Sequence, residues 1–113
     1  CLYRRKAREA FETEAERYAP RMGVEYERIE VRNQRTRWGS CSSKGTLSLN
    51  WRLVMAPPEM LEYVVVHELA HLEVPDHSDA FWEIVEEELP DWRGRRRWLR
   101  ENRMELVFDE GDL

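Results

Sequence analysis

Apolar residues recur at the start of the chain at Leu2, Tyr3, Ala7, Ala10, Phe11, Ala15 and Tyr18. That spacing is helical rather than alternating, and it predicts a helix from Leu2 to Ala19 that Pro20 ends. The period then shortens. Val24, Tyr26, Arg28 or Ile29, and Val31, with charged residues between them, predict a strand that Asn33-Gln34 breaks. Thr36-Arg37-Trp38 reads as a second, short strand. Gly39-Ser40-Cys41-Ser42-Ser43-Lys44-Gly45 has turn chemistry, and Thr46 to Trp51 alternates polar with apolar beyond it. The pair predicts a β-hairpin with Leu47 and Leu49 on its buried face.

Pro57-Pro58 opens the next element as proline favours a first helical turn, and the periodicity carries this helix to about Glu73. Val74-Pro75 stops it, because proline pushes the preceding residue out of helical geometry. A further helix, capped by Asp76 or Ser78, runs through Phe81, Trp82, Val85 and Leu89 to Pro90. The last spans about Arg93 to Met104. The chain is short enough for a single domain over residues 1–113, with one core and one site. It opens on Cys1, not methionine, which suggests the C-terminal part of a longer protein.

The Pro58 to Glu73 helix is apolar nearly all round, yet it contains VVVHELAH, residues 64–71. Met60, Val64, His67 and His71 share one face with Glu68 beside them, and Leu61, Val65, Leu69 and Leu72 cover the opposite face. Such a helix belongs in the middle of a domain. There, two imidazoles and a carboxylate each cost free energy unless hydrogen bonds or a metal compensate. Hydrogen bonding is the ordinary fate of a single core histidine. Histidines at i and i+4, however, lie about 5–6 Å apart, close enough to bind one zinc at about 2.0–2.1 Å each. Glu68 follows the first histidine directly and reaches past an ion toward its water, the place of a general base.

The third histidine, His77, lies just past the Val74-Pro75 break, so that all three histidines fall between residues 67 and 77. Three ligands leave a tetrahedral ion one open position, the mark of a catalytic site rather than a structural one. The spacing matches that of metzincins, but Val74 stands where those carry glycine, and Met104 is far from any Met-turn. A downstream glutamate, Glu86, Glu87 or Glu88, is the alternative third ligand. The pattern favours His77, because the glutamate run has the look of a wet helix face.

Composition adds limits. Hydrophobic residues make up 42%, charged residues 36% and aromatics 11%, with a net charge of -5, which describes a folded, heavily charged domain and gives no support for a general nucleic-acid binder. Arginines nevertheless cluster at Arg4, Arg5 and Arg8, and again from Arg93 to Arg103. Faces rich in Arg and Glu are ordinarily solvated, although nucleic acid is a possible partner. Cys1 and Cys41 have neither metal-pair spacing nor disulfide density, which fits a reducing, cytoplasmic setting. No apolar run approaches membrane-spanning length, and no signal-peptide pattern opens the chain.

Several ordered motifs occur together: Arg37-Trp38-Gly39-Ser40-Cys41-Ser42, Leu49-Asn50-Trp51-Arg52-Leu53, His67-Glu68-Leu69-Ala70-His71, His77-Ser78 and Phe81-Trp82. Across roughly Arg35 to Leu99 the chain resembles the YgjP-like metallopeptidases, relatives of the WLM and SprT/Spartan-type proteases. The resemblance implies an α+β minimal zincin fold: an N-terminal helix, a small three-stranded mostly antiparallel sheet whose edge strand lines the cleft, the HExxH helix and two C-terminal helices. It also implies one zinc ion per chain held by His67, His71 and His77, Glu68 as general base, and a peptide or protein substrate.

Three questions stay open at this level. The residue that stabilises the oxyanion is to be sought among Asn50, Tyr63 and the nearby arginines. A metal-dependent phosphoanhydride hydrolase, with Arg37 or Arg52 on the phosphates, is an alternative chemistry, as is a DNA-associated protease using the Arg93 to Arg103 helix. Trp38 and Trp51 are expected to anchor the hairpin to the core more than to touch substrate.

Overall fold

The computed structural model describes residues 2–33 and 38–102. Helix α1 (Leu2–Met22) leads into strand β1 (Arg28–Arg32), followed by β2 (Gly39–Cys41) and β3 (Thr46–Asn50). A short 3-10 helix (Trp51–Met55) precedes helices α2 (Pro58–Ala70), α3 (Asp79–Glu88) and α4 (Trp92–Glu101).

The apolar stripe of α1 is buried at Ala7, Phe11, Ala15, Tyr18 and Ala19, and its alanines let the helix lie close against α2 and the 3-10 helix. Pro20 does not end α1, which continues through it to Met22. Proline forfeits only the bond its own nitrogen would have made, and at an exposed last turn this is tolerated. The stop comes from Gly23 at φ 71. Its N–H bonds Pro20 O at 3.2 Å and the Val24 N–H bonds Ala19 O at 3.0 Å, the paired bonds of a glycine C-terminal cap.

The sheet is mixed, in the order β1-β3-β2. The hairpin supplies its antiparallel half, with Gly39 opposite Leu49 and Cys41 opposite Leu47. β1 lies on the other side of β3 and runs parallel to it, with Ile29 opposite Leu47 and Val31 opposite Leu49. Leu47 and Leu49 are both fully buried, as the alternation predicts.

Two features depart from the local sequence signals. Gly39–Cys41, small and turn-like in sequence, is strand β2, and the turn proper begins at Ser42, whose Oγ accepts from the Thr46 N–H at 3.1 Å. Pairing reaches back to Trp38, whose carbonyl accepts from the Asn50 N–H at 2.9 Å; Thr36 and Arg37 lie outside the described residues. Second, Trp51 does not extend β3. Asn50 caps the 3-10 helix by accepting from the Arg52 N–H at 3.0 Å. Trp38 and Trp51 both pack, partly buried, against the core.

The smallness of Gly39 has a tertiary cause. A Cβ there would meet Leu49 Cδ2 and Ser48 O at 3.1 Å and Val64 Cγ1 at 3.2 Å. Val64 and Leu49 are buried, and the carbonyl belongs to the central strand, so none of the three has room to retreat. Gly39→Ala is therefore expected to destabilise the protein by about 1–3 kcal/mol. Urea unfolding checks this, and an unchanged midpoint would show that β2 moves freely away from α2.

Candidate metal centre

Helix α2 is the central element. Met60, Leu61, Tyr63, Val64, Val65, Val66, Leu69 and Ala70 are all buried, so both faces meet protein, and Glu68 is only 5% exposed. His71 is the residue after the last helical turn but keeps helical geometry at φ -67 and ψ -18. It therefore retains the i, i+4 relation to His67. Beyond it the chain makes a turn, with the Val74 N–H bonding Ala70 O at 3.0 Å. The Ser78 N–H then bonds Asp76 Oδ1 at 3.2 Å, and this second turn brings His77 back over the end of α2.

The three imidazoles converge. His77 Nε2 lies 3.1 Å from His71 Nε2 and 3.3 Å from His67 Nε2. Ligand bonds of 2.0–2.1 Å in a tetrahedron hold neighbouring donor atoms about 3.3 Å apart. Proton bookkeeping points the same way. Val74 O accepts from His71 Nδ1–H at 3.1 Å, which leaves His71 Nε2 with a lone pair, and one N–H on His77 could not point at both neighbouring nitrogens. The donor set thus fits a divalent cation, and neutral imidazole nitrogens are a natural set for one. Burial, then His71, His77 and Arg96, hold His67 far below its usual range, at about 3, and burial likewise lowers His77, so that both rings are neutral and ready to ligate.

Two residues support the rings from behind. Phe81, fully buried, is the floor: its ring centroid lies 4.9 Å from that of His67, 4.3 Å from His71 and 5.0 Å from His77. Tyr63 places its hydroxyl 3.3 Å from His67 Nδ1. With Nε2 as the ligand atom, Nδ1–H donates to that oxygen and fixes the ring. Loss of such an outer partner typically costs about 10–100-fold in metal affinity, so Tyr63→Phe is expected to weaken metal binding within that range. Competition with a chelating dye measures it; an unchanged affinity would remove Tyr63 from the centre.

A cleft of about 490 Å³ opens beside the histidines, with His67, Glu68 and His71 on one wall and β2 from Gly39 to Cys41 on the other. Cys41 feels its neighbours there, since burial and then the Glu68 carboxylate push its thiol up to about 11. Trp38–Asn50 and Ser42–Thr46 are joined across the hairpin, so by alternation Gly39 and Cys41 turn their backbone groups away from β3 toward the open edge.

Other candidates fall elsewhere. Among the described residues no carboxylate joins the three histidines as a potential ligand. Glu86 accepts from Trp92 Nε1 at 3.2 Å, Glu88 pairs with Arg21 at 3.1 Å, and Glu87 is exposed. Asn50 is buried in its capping role and Tyr63 sits behind His67, so neither faces the cleft as an oxyanion partner would. Arg52 is fully buried, while Arg37 and Met104 lie outside the described residues. Sequence reasoning assigned no role to Phe81; its spacing from His77, one helical turn, was the available signal.

The family described as YgjP-like, metallopeptidase domain, matches residues 1–102. Among solved structures, the metallopeptidase zymogen of Pyrococcus abyssi abylysin is 26% identical with a TM-score of 0.71, over 80% of this chain and 93% of that one. The metallopeptidase zymogen of Methanocaldococcus jannaschii jannalysin shares the fold, with a TM-score of 0.70 at 19% identity over 80% of this chain and 94% of that one. No curated protein matches the chain. With a family match over nearly all of its length and a fold shared with two metallopeptidase zymogens, the chain belongs to the YgjP-like metallopeptidases.

Proposed function

We propose that the protein is a zinc peptidase in which His67, His71 and His77 hold one ion and Glu68 is the general base. The observation that carries this reading is the convergence of three Nε2 atoms at 3.1 and 3.3 Å, beside a buried carboxylate at the wall of an open cleft. A bound ion supplies Lewis acidity, lowering the pKa of a water and polarising a carbonyl.

The protein's own groups do the rest. His67 and His71 are held in their ligand orientation by Tyr63 and by the Val74 carbonyl. Glu68, shielded from bulk water, takes a proton from the attacking water and hands it to the leaving amine nitrogen. The outward backbone groups of Gly39 and Cys41 offer an extended substrate a sheet edge to pair with, which would lay its backbone across the cleft.

Phosphoanhydride hydrolysis is not favoured: Arg52, one of the arginines it would employ, is fully buried. Cys41 is a free thiol, which suits a reducing compartment such as the cytoplasm, and no described helix is long and apolar enough to cross a membrane. The test is cleavage of a peptide mixture by zinc-loaded protein, read by mass spectrometry. New termini formed by the wild type and absent with Glu68→Gln support the reading; identical digests sink it.

A further inference from the structure

Helix α4 is anchored by one arginine and displays four others. Arg95 points inward, donating to Glu62 Oε1 at 2.6 Å and Glu59 O at 3.0 Å and ion-pairing with Asp91 Oδ1 at 3.0 Å. Arg93, Arg96, Arg97 and Arg100, at i, i+3, i+4 and i+7, share the exposed face and, with Trp92, line a depression of about 180 Å³. Among the described residues Arg93 lies over the Trp92 ring at 4.5 Å and pairs with one carboxylate, the exposed Glu86, at 3.4 Å, while Arg96, Arg97 and Arg100 pair with no carboxylate.

This face is continuous with the metal centre. The Arg96 guanidinium lies 5.3 Å from the Trp82 ring centroid. Trp82 in turn stacks on His77 at 5.8 Å and meets His67 edge-on at the same distance. Trp82 also stacks on Trp92 at 4.1 Å, which locks α4 to α3 and fixes the arginines in place.

We propose that the arginine face of α4 is a substrate subsite that selects peptides carrying an aspartate or glutamate close to the bond at the metal centre. The inference rests on the peptidase reading and deepens it. Two steps, of 5.3 and 5.8 Å, separate Arg96 from the His77 ring. Three or four residues of extended peptide cover that span at about 3.3 Å each, so the acidic side chain sits three or four positions from the scissile bond. A guanidinium held against an aromatic face is set in position to take a carboxylate.

The surroundings favour a single carboxylate over a nucleic-acid backbone. Glu83, Glu86 and Glu87 are exposed along α3 beside this face and Glu101 follows it on α4, and they would repel an extended polyanion. A phosphate backbone calls for a broader positive surface than one helix face.

The experiment compares the zinc-loaded wild type, Glu68→Gln and the double variant Arg96→Glu, Arg100→Glu on a proteome-derived peptide mixture, with termini mapped by mass spectrometry. Aspartate and glutamate are expected to be favoured about tenfold over neutral residues at one position near the cleaved bond, the order of one charge-assisted hydrogen bond. In the double variant the preference should switch to lysine and arginine, an outcome that loss of folding cannot produce. In parallel, fluorescence anisotropy with Glu68→Gln protein measures binding of a glutamate-rich peptide, a neutral peptide and single-stranded DNA.

Cleavage without acidic preference overturns the inference and leaves the peptidase reading standing. So does DNA bound more tightly than the acidic peptide with a steep salt dependence. Selective binding of the acidic peptide, lost in the charge-reversed protein but with no cleavage by any form, supports the recognition surface and overturns the peptidase reading. Neither cleavage nor selective binding overturns both.

Discussion

Glu68→Gln is expected to keep its zinc and to lose about 10²–10⁴-fold in kcat/KM on a peptide that the wild type cleaves. The amide has the shape of the carboxylate but cannot accept a proton, so the substitution removes the base without emptying the site. Glu68 lies on α2 between the two histidines and is 5% exposed. In that surrounding the loss of a carboxylate is not made good by bulk water. Metal analysis and kinetics on the same preparations separate the two effects. Full zinc with unreduced turnover would show that the proton goes elsewhere. Zinc lost along with activity would instead make Glu68 a group that helps to hold the ion.

His77→Ala is expected to reduce bound zinc from about one per chain to little after dialysis. Losing a mere outer partner of a ligand costs about 10–100-fold in affinity, so losing a ligand should cost at least about 100-fold. His77 suits the test because it is exposed and lies beyond the end of α2. It is held by stacking on Trp82 and by its edge-on contact with Phe81, not by core packing. The fold should therefore survive its removal. A ligand present at 100 times its Kd stabilises a protein by about 2.7 kcal/mol, so added zinc should raise the melting temperature of the wild type and not of the variant. Full stoichiometry in the dialysed variant would sink the three-histidine site.

Much of the centre was legible because its geometry is local. Histidines four apart on a helix face the same way whatever surrounds them, and the apolar run around them marks the helix as central. Val74-Pro75 announces the turn that returns His77. The Leu47 and Leu49 alternation likewise assigned the buried face of the hairpin, since a strand's period admits only two faces.

Other features had no local signature. Pro20 reads as a helix end, yet α1 passes it by two residues, because the decision belongs to Gly23 and its pair of capping bonds. Gly39 to Cys41 reads as a turn, yet it is a strand whose small residues answer to Leu49 and Val64 packed against it. The parallel pairing of β1 with β3 depends on a crossover that no residue pattern records.

By itself the sequence determined the central helix, the two histidines one turn apart on it, the glutamate between them and the nearness of a third histidine, since each follows from spacing along the chain. Only the tertiary structure brought His77, and not the α3 glutamates, within reach of the other two imidazoles, set Phe81 and Tyr63 against the rings, and placed β2 across the cleft from α2. Those are contacts between segments far apart in the chain, and their positions are set by how the core packs rather than by any periodicity within one segment.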